Sequence, residues 1–122
     1  IEAGEKIPVF GDGSSRRDYT YIDDIVDGTI CAIDNARGYR VYNLGESETT
    51  TLDELVALIG KALGKEPRIE RLPFQPGDVE KTFANIDRAR SEIGYAPKTK
   101  IRDGIERFVA WYHDQNGKGT EQ

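Results

Sequence analysis

A chain of 122 residues with a formal net charge of −5 is short for an enzyme carrying its own dinucleotide site. It is also too acidic for a broad nucleic-acid surface, which needs a basic excess to displace counterions from phosphates. With 37% hydrophobic residues, 32% charged residues and 5 prolines, the composition is that of one globular domain, and with no apolar run near the roughly 20 residues of a membrane span and no signal-peptide pattern, the expected location is cytoplasmic.

Ile7 to Phe10 reads as a short strand that stops at the turn formers Gly11, Asp12 and Gly13. After a polar and aromatic stretch, Ile22, Ile25, Val26, Thr29, Ile30 and Ile33 recur with helical spacing, which predicts a helix to about Asn35 with Asp23 and Asp24 in its first turn. Tyr39 to Leu44 is a β-favouring run with little polar face, as in a strand buried on both sides of a parallel sheet. Thr51 and Glu54 form a capping-box pattern ahead of Leu52, Leu55, Val56, Ile59 and Leu63, with Gly64 placed as the stop.

Arg68 to Leu72 is a further short strand, followed by a loop from Pro73 to Asp78 in which Pro73, Pro76 and Gly77 prevent regular structure. Asp87 is placed to cap a helix through Ile93, stopped by Gly94. Thr99 is placed to cap another, with Ile101, Ile105, Phe108, Val109 and Tyr112 on one face and an end near Asn116-Gly117. Residues 1–117 therefore form the globular part, and the tail from Lys118 to Gln122 is expected to be disordered. Three or four helices with a few short strands spell an α/β unit. If the Tyr39 to Leu44 strand belongs to a parallel sheet, most of that sheet is not encoded here, and the chain should expose a sheet edge or apolar patch and associate through it.

The residues suited to chemistry lie in two places. Arg16 and Arg17 follow a Gly-rich turn in which Gly11 and Gly13 permit close backbone approach, an arrangement that suits a phosphate; the plain alternative is a solvated turn with Arg17 paired to Asp18 or Asp24. Tyr19 and Tyr21 alternate and so share a side, for a ligand or for packing. The loop Phe74-Gln75-Pro76-Gly77-Asp78 presents an amide and a carboxylate that suit ribose hydroxyls or a base edge, unless it is only a surface turn. Asp23 and Asp24 read as helix-capping residues and not as a carboxylate pair. The single cysteine, Cys31, excludes an internal disulfide and reads as a buried thiol, and the lone His113 sits near a helix end, so no zinc site is expected. No metal cluster, Ser/His/Asp arrangement or Walker loop occurs, and the Gly-x-Gly at Gly11 and Gly13 leads into Ser-Ser-Arg-Arg and not into a helix, unlike a dinucleotide fingerprint.

Six motifs occur in order: Pro8-Val9-Phe10-Gly11-Asp12-Gly13, Arg16-Arg17-Asp18-Tyr19-Thr20-Tyr21-Ile22-Asp23-Asp24, Val41-Tyr42-Asn43-Leu44-Gly45, Phe74-Gln75-Pro76-Gly77-Asp78-Val79, Ala84-Asn85-Ile86-Asp87-Arg88-Ala89, and the closing Gly104 to Tyr112. Together they resemble the C-terminal portion of the extended short-chain dehydrogenase/reductase family, which contains the NAD-dependent UDP-sugar 4-epimerases and dehydratases. The resemblance implies the substrate-binding part of an extended Rossmann-type epimerase without its N-terminal cofactor domain. It implies that Val9 and Phe10 pack against uracil, Arg17 holds the diphosphate, Tyr19 lines the same pocket and Asp78 meets the ribose. Gln75 stands where UDP-glucose 4-epimerases typically carry a second phosphate-binding arginine, and the Gln-Pro-Gly-Asp-Val form looks more like the UDP-glucuronate branch.

In that family NAD is the cofactor, and the Tyr-x-x-x-Lys motif and Gly-rich cofactor loop lie in the N-terminal half. Here Tyr19 and Tyr21 are followed four residues on by Asp23 and Ile25. The resemblance therefore implies a chain that binds a UDP-sugar, holds no catalytic residue and no cofactor of its own, lacks its Rossmann partner domain, self-associates and is inactive alone. Ile1 in place of an initiator Met, and the absence of any Met, point to excision from something longer. The alternatives are a dehydratase or decarboxylase of the same family, or a non-catalytic nucleotide-binding or dimerisation module.

Overall fold

The computed structural model describes residues 1–117 and has the expected α/β character, with four helices and two small sheets. The elements run β1 (Lys6–Phe10), β2 (Arg16–Arg17), α1 (Ile22–Asn35), β3 (Thr50–Thr51), α2 (Leu52–Leu63), β4 (Arg68–Leu72), α3 (Asp87–Ile93) and α4 (Ile101–Gly117). β1 and β4 pair in parallel, in register from Lys6 opposite Arg68 to Phe10 opposite Leu72, and β2 pairs with β3. The tail after Gly117 lies outside the described residues.

The chain divides into two compact units, each assembled from segments distant in sequence. The first holds Ile1–Ser15, Thr51–Asp78 and the chain from Arg102, and so contains β1, β4, α2 and nearly all of α4. In it α2 starts as its sequence dictates: the Thr51 hydroxyl accepts the Glu54 N–H at 3.1 Å and the Glu54 carboxylate accepts the Thr51 N–H at 2.8 Å. Gly64 ends the helix in the left-handed conformation, and Val9, Val56, Gly60, Gly104 and Val109 are buried. The apolar face of α4 is covered only in part, because Phe108 and Trp111 are both more than half exposed, with ring centroids 5.6 Å apart.

The second unit holds Arg16–Thr50 and Val79–Ile101. Its core is Ala89 and Ile93 of α3 with Ile86 just before that helix and Tyr95 just after it, against which Cys31 and Ala32 of α1, Tyr42, Leu44 and Ala84 pack. Cys31 is half-buried in this layer. Gly28 of α1 lets the Tyr95 ring approach so closely that a Cβ there would stand 2.8 Å from it.

Four local expectations change in this unit. Tyr39 to Leu44 is not a strand: among the described residues no segment offers it a ladder, so Tyr42 and Leu44 turn to the core while Tyr39 is 88% exposed and Val41 projects outward. Asp24 does not cap α1. It is buried, and its two oxygens accept the backbone N–H groups of Lys98 and Thr99, both at 2.9 Å. Thr99 is drawn into that contact and α4 begins at Ile101. Asp87 is the first helical residue of α3, and the Asn85 side chain accepts its N–H at 2.9 Å.

Candidate functional site

Val9, Phe10, Gln75 and Asp78 all fall in the first unit. Val9 is a core residue, and Phe10 closes β1 with its ring about one-third exposed. The Gly11 N–H extends the ladder to the Leu72 carbonyl at 2.8 Å, and the Phe74 ring lies against Gly11 so tightly that a Cβ there would stand 2.6 Å from it. Phe10, Gly11 and Phe74 thus form one apolar corner. Beyond Phe74 the chain makes a tight turn in which the Asp78 N–H donates to the Gln75 carbonyl at 3.2 Å, with Pro76 and Gly77 between them and Gly77 at φ +88°. Proline then glycine is the pairing a type II turn demands, and it places the Gln75 amide and Asp78 carboxylate at the two ends of one rigid bend.

The glycine-rich turn itself is braced from within. Asp12 accepts both the N–H and the hydroxyl of Ser14, at 2.9 and 2.5 Å, and these bonds hold its carboxyl below the ordinary range. Gly13 is buried at φ +85°, where a Cβ would collide with the Asp53 carboxylate and Arg71. The turn is not built as a dinucleotide loop: the Gly11 and Ser14 N–H groups are already committed, the Asp53 carboxylate lies against Gly13, and the chain leads into β2 and not into a helix. Among the described residues no His, Cys, Asp or Glu group could hold a metal ion, and no helix is long and apolar enough to cross a membrane.

Arg17 and Tyr19 fall in the second unit. The structure separates the two arginines. Arg16 is a clamp, donating from Nε to the Thr49 hydroxyl at 2.9 Å and from Nη2 to the Thr49 carbonyl at 2.7 Å. Arg17 is half-buried, with Nη1 donating to the Arg16 carbonyl at 2.9 Å and more weakly to Glu80 at 3.4 Å. Tyr19 is its electrostatic neighbour: burial raises the phenol pKa while the Arg17 charge opposes the shift. Between them lies Asp18, which the sequence offered only as an ion partner for Arg17. Its carboxylate accepts the backbone N–H groups of Glu46, Ser47 and Ala84 at 2.9, 3.0 and 3.1 Å. The only local signal was a carboxylate flanked by the two candidate ligands.

A family model described as GDP-mannose 4,6 dehydratase matches residues 1–108. The chain belongs to this family of nucleotide-sugar dehydratases and epimerases. Among its relatives in this extended short-chain dehydrogenase/reductase family, the UDP-glucuronate 4-epimerase of Thermodesulfobacterium geofontis is 36% identical over 106 residues, which is 86% of this chain and 32% of that protein. The crystal structure of UDP-glucuronic acid 4-epimerase from Bacillus cereus, in complex with UDP-glucuronic acid and NAD, superposes with a TM-score of 0.84 at 29% identity, covering 93% of this chain and 37% of that one. The dTDP-glucose 4,6-dehydratase of Bacillus anthracis, in complex with NAD, gives a TM-score of 0.83 at 28% identity over 94% of this chain and 36% of that one. The first three curated relatives are each matched over 34–39% of their length.

Proposed function

We propose that residues 1–117 form the UDP-sugar-binding portion of a nucleotide-sugar epimerase, whose reaction is NAD-dependent inversion at C4 of a UDP-hexose or UDP-uronic acid. The observation that carries the reading is the similarity, over nearly the whole chain, to a Bacillus cereus enzyme whose structure holds UDP-glucuronic acid and NAD. In this reading Phe10, backed from the core by Val9, packs on uracil, and Asp78 receives the ribose hydroxyls. Arg17 supplies a planar, permanently charged fork for the diphosphate, with Tyr19 beside it. Gln75 contributes an amide in place of a second cation, which favours the UDP-glucuronate branch.

The chain by itself is proposed to be catalytically silent. Hydride transfer needs a nicotinamide and a proton acceptor in one site, and none of the six tyrosines is followed by a lysine four residues on. The cofactor half would be supplied from outside these residues, and the location is proposed to be cytoplasmic. Exposed apolar side chains on α1, together with Tyr39 and Val41, favour self-association through these faces.

Calorimetric titration with UDP, UDP-glucuronate and NAD in parallel tests the reading. Binding of the UDP ligands without NAD is expected; NAD binding, or no UDP binding, overturns it. A second reading, a 4,6-dehydratase, is favoured by the matching family model and the Bacillus anthracis structure. It predicts preference for a dTDP-hexose or GDP-hexose over UDP-glucuronate when these nucleotide sugars are titrated alongside.

A further inference from the structure

We infer that Asp18 is the positioning residue of the candidate diphosphate site, its carboxylate setting where Arg17 and Tyr19 are presented. The inference rests on the reading of Arg17 as a diphosphate ligand and adds a residue to it. Three backbone amides from two separate loops converge on this one carboxylate, Glu46 and Ser47 from one side and Ala84 from the other, and the Thr20 hydroxyl donates to it at 3.3 Å. The loops are shaped for it. Ser47 is the one non-glycine residue at positive φ among the described residues, +59°, a strained backbone held beside the carboxylate that its N–H meets. At Gly45 a Cβ would stand 2.7 Å from both the Ala84 Cβ and the Asp18 oxygen, so a side chain there would push apart the carboxylate and one of the residues whose amide it accepts.

Both loops are also held by bonds that do not involve Asp18. Lys100 donates to Glu46 and Glu48 at 2.8 and 2.7 Å, and the segment from Glu80 to Ala84 runs beside Arg16 and Asp18, with the Arg16 N–H donating to Glu80 and the Thr82 N–H to Arg16. Side chains then sort by alternation. Asp18 and Thr20 line an open depression of about 450 Å³ that Arg17 and Tyr19 do not line. Anchoring Asp18 on one side of this extended segment therefore fixes the neighbours on its other side. A carboxylate already accepting three amides and a hydroxyl is an anchor and not a ligand, and a guanidinium that must meet a diphosphate gains from a backbone that cannot shift.

The test titrates the full chain with UDP and with uridine, which lacks the diphosphate, for Asp18→Asn, Arg17→Ala and the double variant. Asp18→Asn turns one acceptor oxygen into a donor facing N–H groups. It is expected to weaken UDP about tenfold, leave uridine unchanged, and cost nothing further in the Arg17→Ala background. If Asp18→Asn fails to fold, Gly45→Ala is expected to give the same UDP-selective loss. Equal losses for UDP and uridine, losses that add to that of Arg17→Ala, or undiminished UDP affinity in the Asp18 and Gly45 variants would overturn the role of Asp18 alone. UDP affinity unchanged in Arg17→Ala, or absent from the unsubstituted chain, would overturn the diphosphate reading and this role with it.

Discussion

Arg71 of β4 grips Asp53 in the first turn of α2 through two hydrogen bonds of 2.8 and 2.7 Å, and the pair closes directly over Gly13. Both side chains are more than two-fifths exposed, so solvent screens the pair and it adds little to stability. The glycine beneath it matters more. Gly13→Ala must strain a left-handed backbone and push the carboxylate aside, an expected loss of about 2–3 kcal/mol. Urea unfolding should rank Gly13→Ala well below Arg71→Ala in stability; the reverse order would show that the turn has room to relax.

Two adjacent aspartates should behave in opposite ways. Asp24 is 3% exposed and satisfies two backbone amides, so Asp24→Ala leaves buried donors without acceptors and is expected to cost about 2–4 kcal/mol. Asp23 is exposed, and Asp23→Ala should stay within about 0.5 kcal/mol. Similar midpoints for the two variants in chemical denaturation would refute the assignment.

Alkaline stability should report on Tyr95. Its hydroxyl donates to the Gly45 carbonyl at 2.9 Å inside the core, and burial, reinforced by the Asp24 charge, pushes its pKa from 10.0 to about 12. The folded state binds this proton more tightly than the unfolded chain. The stabilisation is whole below pH 10 and is lost as pH rises from 10 through 12. Phenolate absorbance should show Tyr95 among the last of the tyrosines to ionise, and Tyr95→Phe should flatten the alkaline fall in stability. An ordinary titration of Tyr95 near pH 10 would contradict the buried geometry.

Arg17 and Arg16 should separate in binding and in stability. Arg17→Ala is expected to lose about 1–3 kcal/mol of UDP affinity, the range of a charged hydrogen bond. Arg16→Ala removes two bonds to Thr49 and should act chiefly on stability. Calorimetry and thermal unfolding of the two variants would expose an exchange of roles.

Ile33 of α1 is 75% exposed and Val41 58%. If these faces mediate self-association, sedimentation should show a concentration-dependent assembly that Ile33→Glu with Val41→Glu disperses. A chain that is monomeric at every concentration would rule that surface out.

Where a structural cue is local, it was legible in the residues themselves. The Thr51–Glu54 capping box, the Gly64 stop, the α1 span and the Pro76-Gly77 bend each depend on neighbours within a few positions, and each appears where its pattern places it. The six ordered motifs likewise carried the family, because order and type survive without knowledge of contacts. Tyr39 to Leu44 failed as a strand for the complementary reason: β-favouring side chains do not supply the second backbone that a ladder requires.

The aspartates draw the same line within the candidate site. From composition and spacing, Asp18 and Asp24 were a flank and a helix cap, and Arg16 and Arg17 were equivalent cations. The fold gave Asp24 the amides of residues 98 and 99, gave Asp18 those of residues 46, 47 and 84, and tied Arg16 to Thr49. Residue type determined that these groups would seek hydrogen bonds. Which distant backbone satisfied them was decided only when the chain closed, because a buried polar group takes the partner that packing brings to it.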